Sequence, residues 1–266
     1  MGRKLVIVGG GHLGAALAEG LLEAKWCARA ELGVVELSAH QRTVLGERLV
    51  GVAVLESFTG EPLDLDVVLC VKPDDAPAAL RTMASAGVRR VLSVVAGLST
   101  TRIEAAFAGP VAVVRAMPNT PVVVRHGASA MAGGAHVSRN DLDWADAVLR
   151  AVGTVVRVSE RHLDAVTGLS GSMPAYLFLV VEALIDAGVH QGLSCEVSRE
   201  LVVATFEGAG RLLADTGESP EDLRAQVTSP GGTTAAGLRV LESRAVRSAM
   251  LEAVAAATER SRQLGR

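Results

Sequence analysis

From residue 5 to about residue 158 the chain alternates short aliphatic runs with stretches of helical period, and beyond about residue 160 the short runs stop. No other feature restricts the possible folds as strongly. The runs "LVIVG" (5–9), "GVVEL" (33–37), "VAVL" (52–55), "VVLCV" (67–71), "VLSVV" (91–95) and "VAVVR" (111–115) read as strands. Helical patterns lie between most of them, notably at 12–24, 74–86 and 100–108. Runs that are apolar throughout fit strands covered on both faces. Strand and helix in alternation predict βαβ units and a doubly wound, Rossmann-type sheet. Two more β-like runs, "ASAMA" (128–132) and "TVVRV" (154–158), flank a further helix candidate.

The rest of the chain reads as helix. A long helix is expected from Met173-Pro174, with Pro at a tolerated first-turn position. Others follow behind Ser194 and behind Ser219-Pro220, then at "TTAAGLRVLES" and "AVRSAMLEAVAAATERSRQL". The expected organisation is residues 1–160 as a dinucleotide-binding domain and residues 161–266 as an all-helical domain. A helix-only segment so poor in aromatic bulk cannot bury all its faces alone, which predicts a homodimer through these helices.

Composition narrows the class. Apolar residues make up 49% of the chain and aromatics 3%, so the core is built of Ala, Val and Leu. A net charge of −3 with both signs interspersed offers no nucleic-acid-binding face. Cys27, Cys70 and Cys195 are odd in number and without CxxC spacing, which reads as reduced, mostly buried thiols in the cytosol. The five-residue apolar run of the opening "MGRKLVIVGGG" is shorter than a signal-peptide core. "AYLFLVVEALI" is interrupted by Glu182 and too short to span a bilayer, so a soluble, cytoplasmic protein is expected.

Chemistry enters with the first loop. "VGGGHLG" sets Gly9, Gly11 and Gly14 in GxGxxG spacing between a strand and a helix, with His12 and Leu13 opening that helix. Gly9 permits the tight turn, Gly11 a close approach to pyrophosphate, and Gly14 close helix–strand packing. Glu36, 22 residues past Gly14, stands where an acid accepts from the adenosine ribose and repels a 2′-phosphate, which favours NADH. Ser38, His40 and Arg42 close behind could instead cradle that phosphate, or Glu36 could be an ordinary solvated residue at a helix start. Lys72 and Pro73 follow the fourth strand, "VVAGLS" (94–99) the fifth and "RAMPNTP" (115–121) the sixth, all at the strand ends where open α/β sheets bind ligands.

The order of "VGGGHLG", "VKP", "SVVAGLS", "RAMPNTPVVVRHGA", "LSGSMPAYLFLVVEAL" and "VTSPGGTTAAGLRVLE" resembles that of pyrroline-5-carboxylate reductases over nearly the whole chain. The resemblance implies NAD(P)H-dependent reduction of 1-pyrroline-5-carboxylate to L-proline by a dimer interlocked through its C-terminal helices, often assembled into a larger ring such as a decamer. It implies that Cys70, Val71, Lys72 and Pro73 line the cofactor. It also places Ala96 and Gly97 on the nicotinamide side, with Met117, Pro118 and Asn119 beside them. Ser229, Gly231, Gly232, Thr233 and Thr234 would hold the imino-acid substrate, with the Thr234 hydroxyl facing the ring nitrogen as the catalytic group.

One residue departs from the pattern. Met173 stands where a small residue is expected, and a side chain directed at the substrate would reshape that pocket, so a related reductase acting on a six-membered or methylated ring is the alternative. A nucleotide-sensing protein that has lost turnover would have no need of "SPGGTT". By itself that loop also reads as a plain helix cap, with Pro230 ending one helix and Thr233 capping the next. His40, His126, His136, His162 and His190 lack metal-ligand spacing, Tyr176 reads as packing, and "ATERSRQLGR" as a solvated basic helix end.

Overall fold

The computed structural model of the protein describes residues 4–58 and 64–265, so Arg3 of the opening run and the terminal Arg266 lie outside the described residues. Two compact units form, one running up to Ser172 and taking in the stretch from Ala255 on, the other Met173–Val254. This partition differs from the 160/161 division suggested by the change of period. Residues past 160 join the first unit because Leu163, fully buried, packs on Ala130 and Ala132 of the sheet.

The first unit is an eight-stranded sheet. Its strands are β1 (Leu5–Val8), β2 (Leu32–Val35), β3 (Ala53–Leu55), β4 (Leu65–Leu69), β5 (Val88–Ser93), β6 (Ala112–Met117), β7 (Gly127–Gly133) and β8 (Gly153–Arg157). They lie in the order β3-β2-β1-β4-β5-β6-β7-β8. Every pair is parallel except β6 and β7, where the connection is a single short 3₁₀ turn, Thr120–Val124, too short for a parallel crossover. The helices of this unit are α1 (His12–Glu23), α2 (Ala39–Arg48), α3 (Ala76–Ser85), α4 (Thr100–Glu104), α5 (Arg139–Arg150) and α6 (Leu163–Val166). All eight strands read from the apolar runs are present, with ends displaced by at most three residues.

Pleating explains why the runs are apolar throughout. Leu5 and Ile7 point to one face of the sheet, where Leu17 and Leu21 of α1 and Val148 and Leu149 of α5 cover them. Val6 and Val8 point to the other, against Leu80 and Met83 of α3 and Ile103 of α4. Each such Leu or Ile withdrawn from water contributes about 1.5–3 kcal/mol. The charged group buried in β4 is paired. Asp66, 5% exposed, receives Arg89 and Arg90 at 2.6 Å each, and Arg90 stacks 4.3 Å from the Trp144 ring.

The second unit is helical, with α7 (Met173–His190), α8 (Cys195–Thr216), α9 (Pro220–Gln226), α10 (Thr233–Ser243) and the first part of α11 (Val246–Leu264). Ser194 and Ser219 cap α8 and α9, each accepting from the amide three residues on, as their positions predict. Gly192 (φ +94°) turns the chain between α7 and α8, and the two helices approach where a Cβ on Gly188 would lie 2.5 Å from the Ser198 hydroxyl. Little else is enclosed: Leu177, Leu179, Leu201 and Leu251 are 44%, 67%, 55% and 73% exposed.

The helical run Glu160–His190 has 31 residues and an apolar window of mean hydropathy 1.5, enough by length and composition to cross a membrane. The shorter stretch read from the sequence omitted the turns that precede it. Those turns include a π-helical segment, Thr167–Gly171, that no periodicity announced.

Candidate active site

The residues singled out by their motifs fall into two groups, one in each unit. In the first unit the loop after β1 is shaped by three glycines with different reasons to lack a side chain. Gly9 has φ +100°, and a Cβ there would lie 2.7 Å from the Cys70 carbonyl group. A Cβ on Gly14 would lie 2.0 Å from the Gly9 oxygen, so any side chain would force α1 off the strand. Gly11 faces open space, with nothing within 4 Å of where its Cβ would stand. It is also the N-cap of α1, and no side chain caps that helix. The first-turn N–H groups, with the positive end of the helix dipole, are therefore presented to an anion. His12 is exposed at the first helical position and Leu13 half-buried behind it.

A cleft of about 620 Å³ runs along this edge, lined among others by Gly9, Gly11, Glu36, Ser38, Cys70 and Lys72. That volume falls in the range of small-molecule sites. Val71 also lines it, while Pro73 opens a 3₁₀ turn at the mouth of a neighbouring hollow. Burial pushes the Cys70 thiol up to about 12, so it faces the cleft as a neutral group.

Glu36 lies just past β2, one residue beyond where the strand stops. Its carboxylate accepts from the Gly10 amide at 2.8 Å and from the Ser38 amide at 2.8 Å, so it fixes the glycine loop as well as facing the cleft. Two lone-pair sites remain on it for ligand hydroxyls. Gly10, which the motif leaves unspecified, has its own reason: a Cβ there would lie 2.4 Å from Leu45 of α2. The alternative phosphate cradle is largely occupied. The Ser38 hydroxyl accepts from the Gln41 amide as the α2 cap, at 3.3 Å. Arg42 donates to the carbonyls of Glu36 and Leu37 at 2.9 and 2.7 Å and to Glu56 at 3.2 Å.

Farther along the edge, Gly97 is buried with φ +72° and Ala96 half-buried, on the loop of residues 94–99 between β5 and α4. Glu160 ties the end of that loop, accepting from the Thr100 amide at 2.8 Å and hydroxyl at 2.6 Å and from Arg115 at 3.2 Å. Nothing local in the sequence joins residues 60 apart. Pro118 is buried. The Asn119 amide group is committed to the backbone, donating to the Ser170 carbonyl at 3.1 Å and accepting from the Ala128 amide at 2.8 Å. It tethers the loop after β6.

In the second unit the loop of residues 229–234 is exposed and turns at Gly231, φ +72°. The Gly232 amide donates to the Ser229 carbonyl at 3.0 Å, and a Cβ on Gly232 would lie 2.3 Å from the Ser229 hydroxyl. Gly232, not Thr233, is the N-cap of α10, with no side-chain cap. Thr233 and Thr234 are its first two helical residues, so the plain-cap reading of Thr233 is corrected: its backbone is already helical and its hydroxyl stands outside the cap position. Met173 is the half-buried first residue of α7. Of the thiols, Cys27 is buried but Cys195 is exposed at the start of α8, against the expectation of burial.

Comparison with known proteins adds what geometry alone does not. Residues 160–264 match the family model for pyrroline-5-carboxylate reductase dimerisation, and residues 4–97 match one for NADP oxidoreductases, coenzyme F420-dependent. The chain is 38% identical to a pyrroline-5-carboxylate reductase of Corynebacterium melassecola, over 98% of each protein. It is 39% identical to one from Synechocystis, over 100% of each. A solved reductase structure from Coxiella burnetii superposes with a TM-score of 0.92 at 32% identity, covering 100% of both chains. That of the Plasmodium falciparum pyrroline carboxylate reductase, with NADP bound, gives 0.85 at 29%, covering 99% of this chain and 98% of the other. Glycine loop, strand-edge cleft, open "SPGGTT" turn and helical unit thus occur together in a chain aligned end to end with these enzymes, and it belongs to the pyrroline-5-carboxylate reductase family.

Proposed function

We propose that the protein reduces the cyclic imine 1-pyrroline-5-carboxylate to L-proline, the last step of proline synthesis. The observation that carries this reading is the start of α10. Gly231, left-handed and exposed, and the uncapped N-terminus of α10 present N–H groups where a small carboxylate can be held, and two threonine hydroxyls stand beside them. Ser229, Gly231, Gly232 and Thr233 form that receptor, and Thr234 donates to or accepts from the ring nitrogen. The nicotinamide cofactor supplies the hydride. The chain's own work is to hold the imine carbon about 3–3.5 Å from the donor carbon and to keep the nitrogen protonated as it becomes an amine.

Residues 9–14 would hold the pyrophosphate, with Gly11 open to it and the α1 amides aimed at it. Cys70, Val71, Lys72 and Pro73 flank the dinucleotide, and Ala96, Gly97, Pro118 and Asn119 stand toward its redox end. The cofactor is NADH in preference to NADPH. Glu36, Glu56 and Asp75 line the cleft against Lys72, and Arg42 beside it is engaged by Glu56 and two carbonyls. A 2′-phosphate there would meet more negative than free positive charge. The helical unit pairs with a second copy, and such dimers assemble into a ring such as a decamer. The working compartment is the cytoplasm.

The purified chain should oxidise NADH on addition of 1-pyrroline-5-carboxylate and yield L-proline. Absence of turnover with either cofactor would remove the assignment. The same assay with a six-membered cyclic imine, on wild type and on Met173→Gly, tests ring choice. One or two methylenes in an apolar pocket shift relative kcat/KM by about tenfold. Equal changes for both rings would put Met173 outside the pocket.

A further inference from the structure

By its composition the closing stretch "ATERSRQLGR" is a solvated helix end, and the proposed reaction makes no use of it. In the folded first unit one side of it is docked, at Thr258 and Ser261 and at the half-buried Gly265. Ser261 is 4% exposed, and its hydroxyl donates to Asp164 at 2.7 Å. One turn later the backbone meets the loop of residues 94–99. A Cβ on Gly97 would lie 3.1 Å from the Gly265 Cα and nitrogen and from the Leu264 carbonyl carbon. Conversely, a Cβ on Gly265 would lie 3.0 Å from the Gly97 oxygen. The Arg102 guanidinium of α4 reaches the Gly265 carbonyl at 3.4 Å. Leu264 lines the same hollow as Pro73, Ala96 and Gly97.

We propose that residues 261–265 are a positioning strut, which backs the loop of residues 94–99 and holds Ala96 and Gly97 at the place they take beside the cofactor's redox end. The inference rests on the reading of those two residues as cofactor neighbours. Its physical basis is the close approach of two backbones at Gly97 and Gly265. Gly97 sits in the left-handed region that only glycine occupies freely, and it has no side chain with which to anchor itself. A loop of that kind holds one conformation only if something rigid stands behind it. The strut is rigid because it is the last turn of α11 and is pinned by Ser261 to Asp164 and by Gly265 to Arg102. Two backbones meet this closely only when both residues lack a Cβ. A displacement of about an ångström in a group that positions reactants can cost on the order of a hundredfold in rate. On this reading the strut acts on the cofactor through the loop it backs.

Three variants test it: Gly265→Val, which inserts bulk 3.0 Å from the Gly97 oxygen, a truncation ending at Arg260, and Arg102→Gln, which removes the hydrogen bond and adds no bulk. Each is measured for kcat, for Kd of NADH and for amide hydrogen exchange. The proposal expects kcat to fall about tenfold or more in the first two and less in the third. Kd for NADH should stay within about twofold, because the pyrophosphate and ribose ends are held elsewhere. Exchange should quicken at residues 96–99 and stay unchanged in β1 and α1. Unchanged kcat in Gly265→Val and in the truncation would overturn the strut. So would a loss of protection spread evenly over the sheet, since that is the mark of a merely structural contact. Wild type that binds no NADH would instead refute the cofactor reading, and the strut with it.

Discussion

At the scale of single residues, the start of α10 separates function from structure. Because Gly232 is the cap, Thr233 contributes no side-chain cap, and Thr233→Ala should leave thermal stability within about 0.5 kcal/mol of wild type rather than costing the ~1 kcal/mol of a lost cap. Thr234→Ala should lower kcat/KM by about ten- to a hundredfold, since a hydrogen bond to a charged group contributes about 1.5–3 kcal/mol. Kd for NADH should not change. Near-wild-type turnover in a folded Thr234→Ala protein would end the catalytic assignment. Glu36 carries two loads, since its carboxylate anchors the Gly10 and Ser38 amides while facing the cleft. Glu36→Gln keeps an acceptor oxygen and removes the charge. It should therefore raise kcat/KM for NADPH relative to NADH by about tenfold, the weight of one charged hydrogen-bonding partner. A wild type that already prefers NADPH by a large factor would show that Glu36 does not read the ribose.

At the scale of an element, α5 shows how a cap responds to pH. Ser138 and Asp141 form a reciprocal cap: the Asp141 amide donates to the Ser138 hydroxyl at 3.3 Å, and the Ser138 amide to the Asp141 carboxylate at 3.0 Å. Burial acts to raise the Asp141 carboxyl. The Ser138 hydroxyl and amide, with the Arg90 guanidinium, outweigh it and hold the group below its ordinary value. A carboxylate so held stabilises the fold at pH above its unfolded value of about 3.9, and the contribution vanishes as pH falls through the lower, folded value. Ser138→Ala should therefore cost about 1 kcal/mol at neutral pH and progressively less in acid. Urea titrations of both proteins at pH 7 and near pH 3 measure the difference. An equal loss at both values would mean the hydroxyl acts without Asp141.

At the scale of the whole molecule, the helical unit leaves large apolar side chains in water along α7, α8, α10 and α11. Exposed faces of that extent mark partner surfaces. Light scattering at micromolar concentration should give a dimer or a multiple of it, and a well-folded monomer would contradict the pairing. A dimer that dissociates should also lose stability on dilution, because association and folding are then linked.

The residues by themselves determined what short-range physics controls: short aliphatic runs that alternate with helical period, serines one position ahead of helical period, and glycines where the chain turns tightly. The eight strands, the serine caps of α8 and α9 and the open Gly11 were legible for that reason. Contacts between residues far apart in the chain were not, because no periodicity encodes them. Only the tertiary structure showed that Gly10 is small because Leu45 stands against it, and that the Glu36 carboxylate is already held by two amides. It likewise spent the Asn119 amide on tethers and gave Glu160 to the Thr100 end of a loop 60 residues away. The end of the chain is the clearest case. Its polar composition favours water, yet the Ser261 hydroxyl finds Asp164 and the Gly265 carbonyl finds Arg102, partners 97 and 163 residues away in sequence.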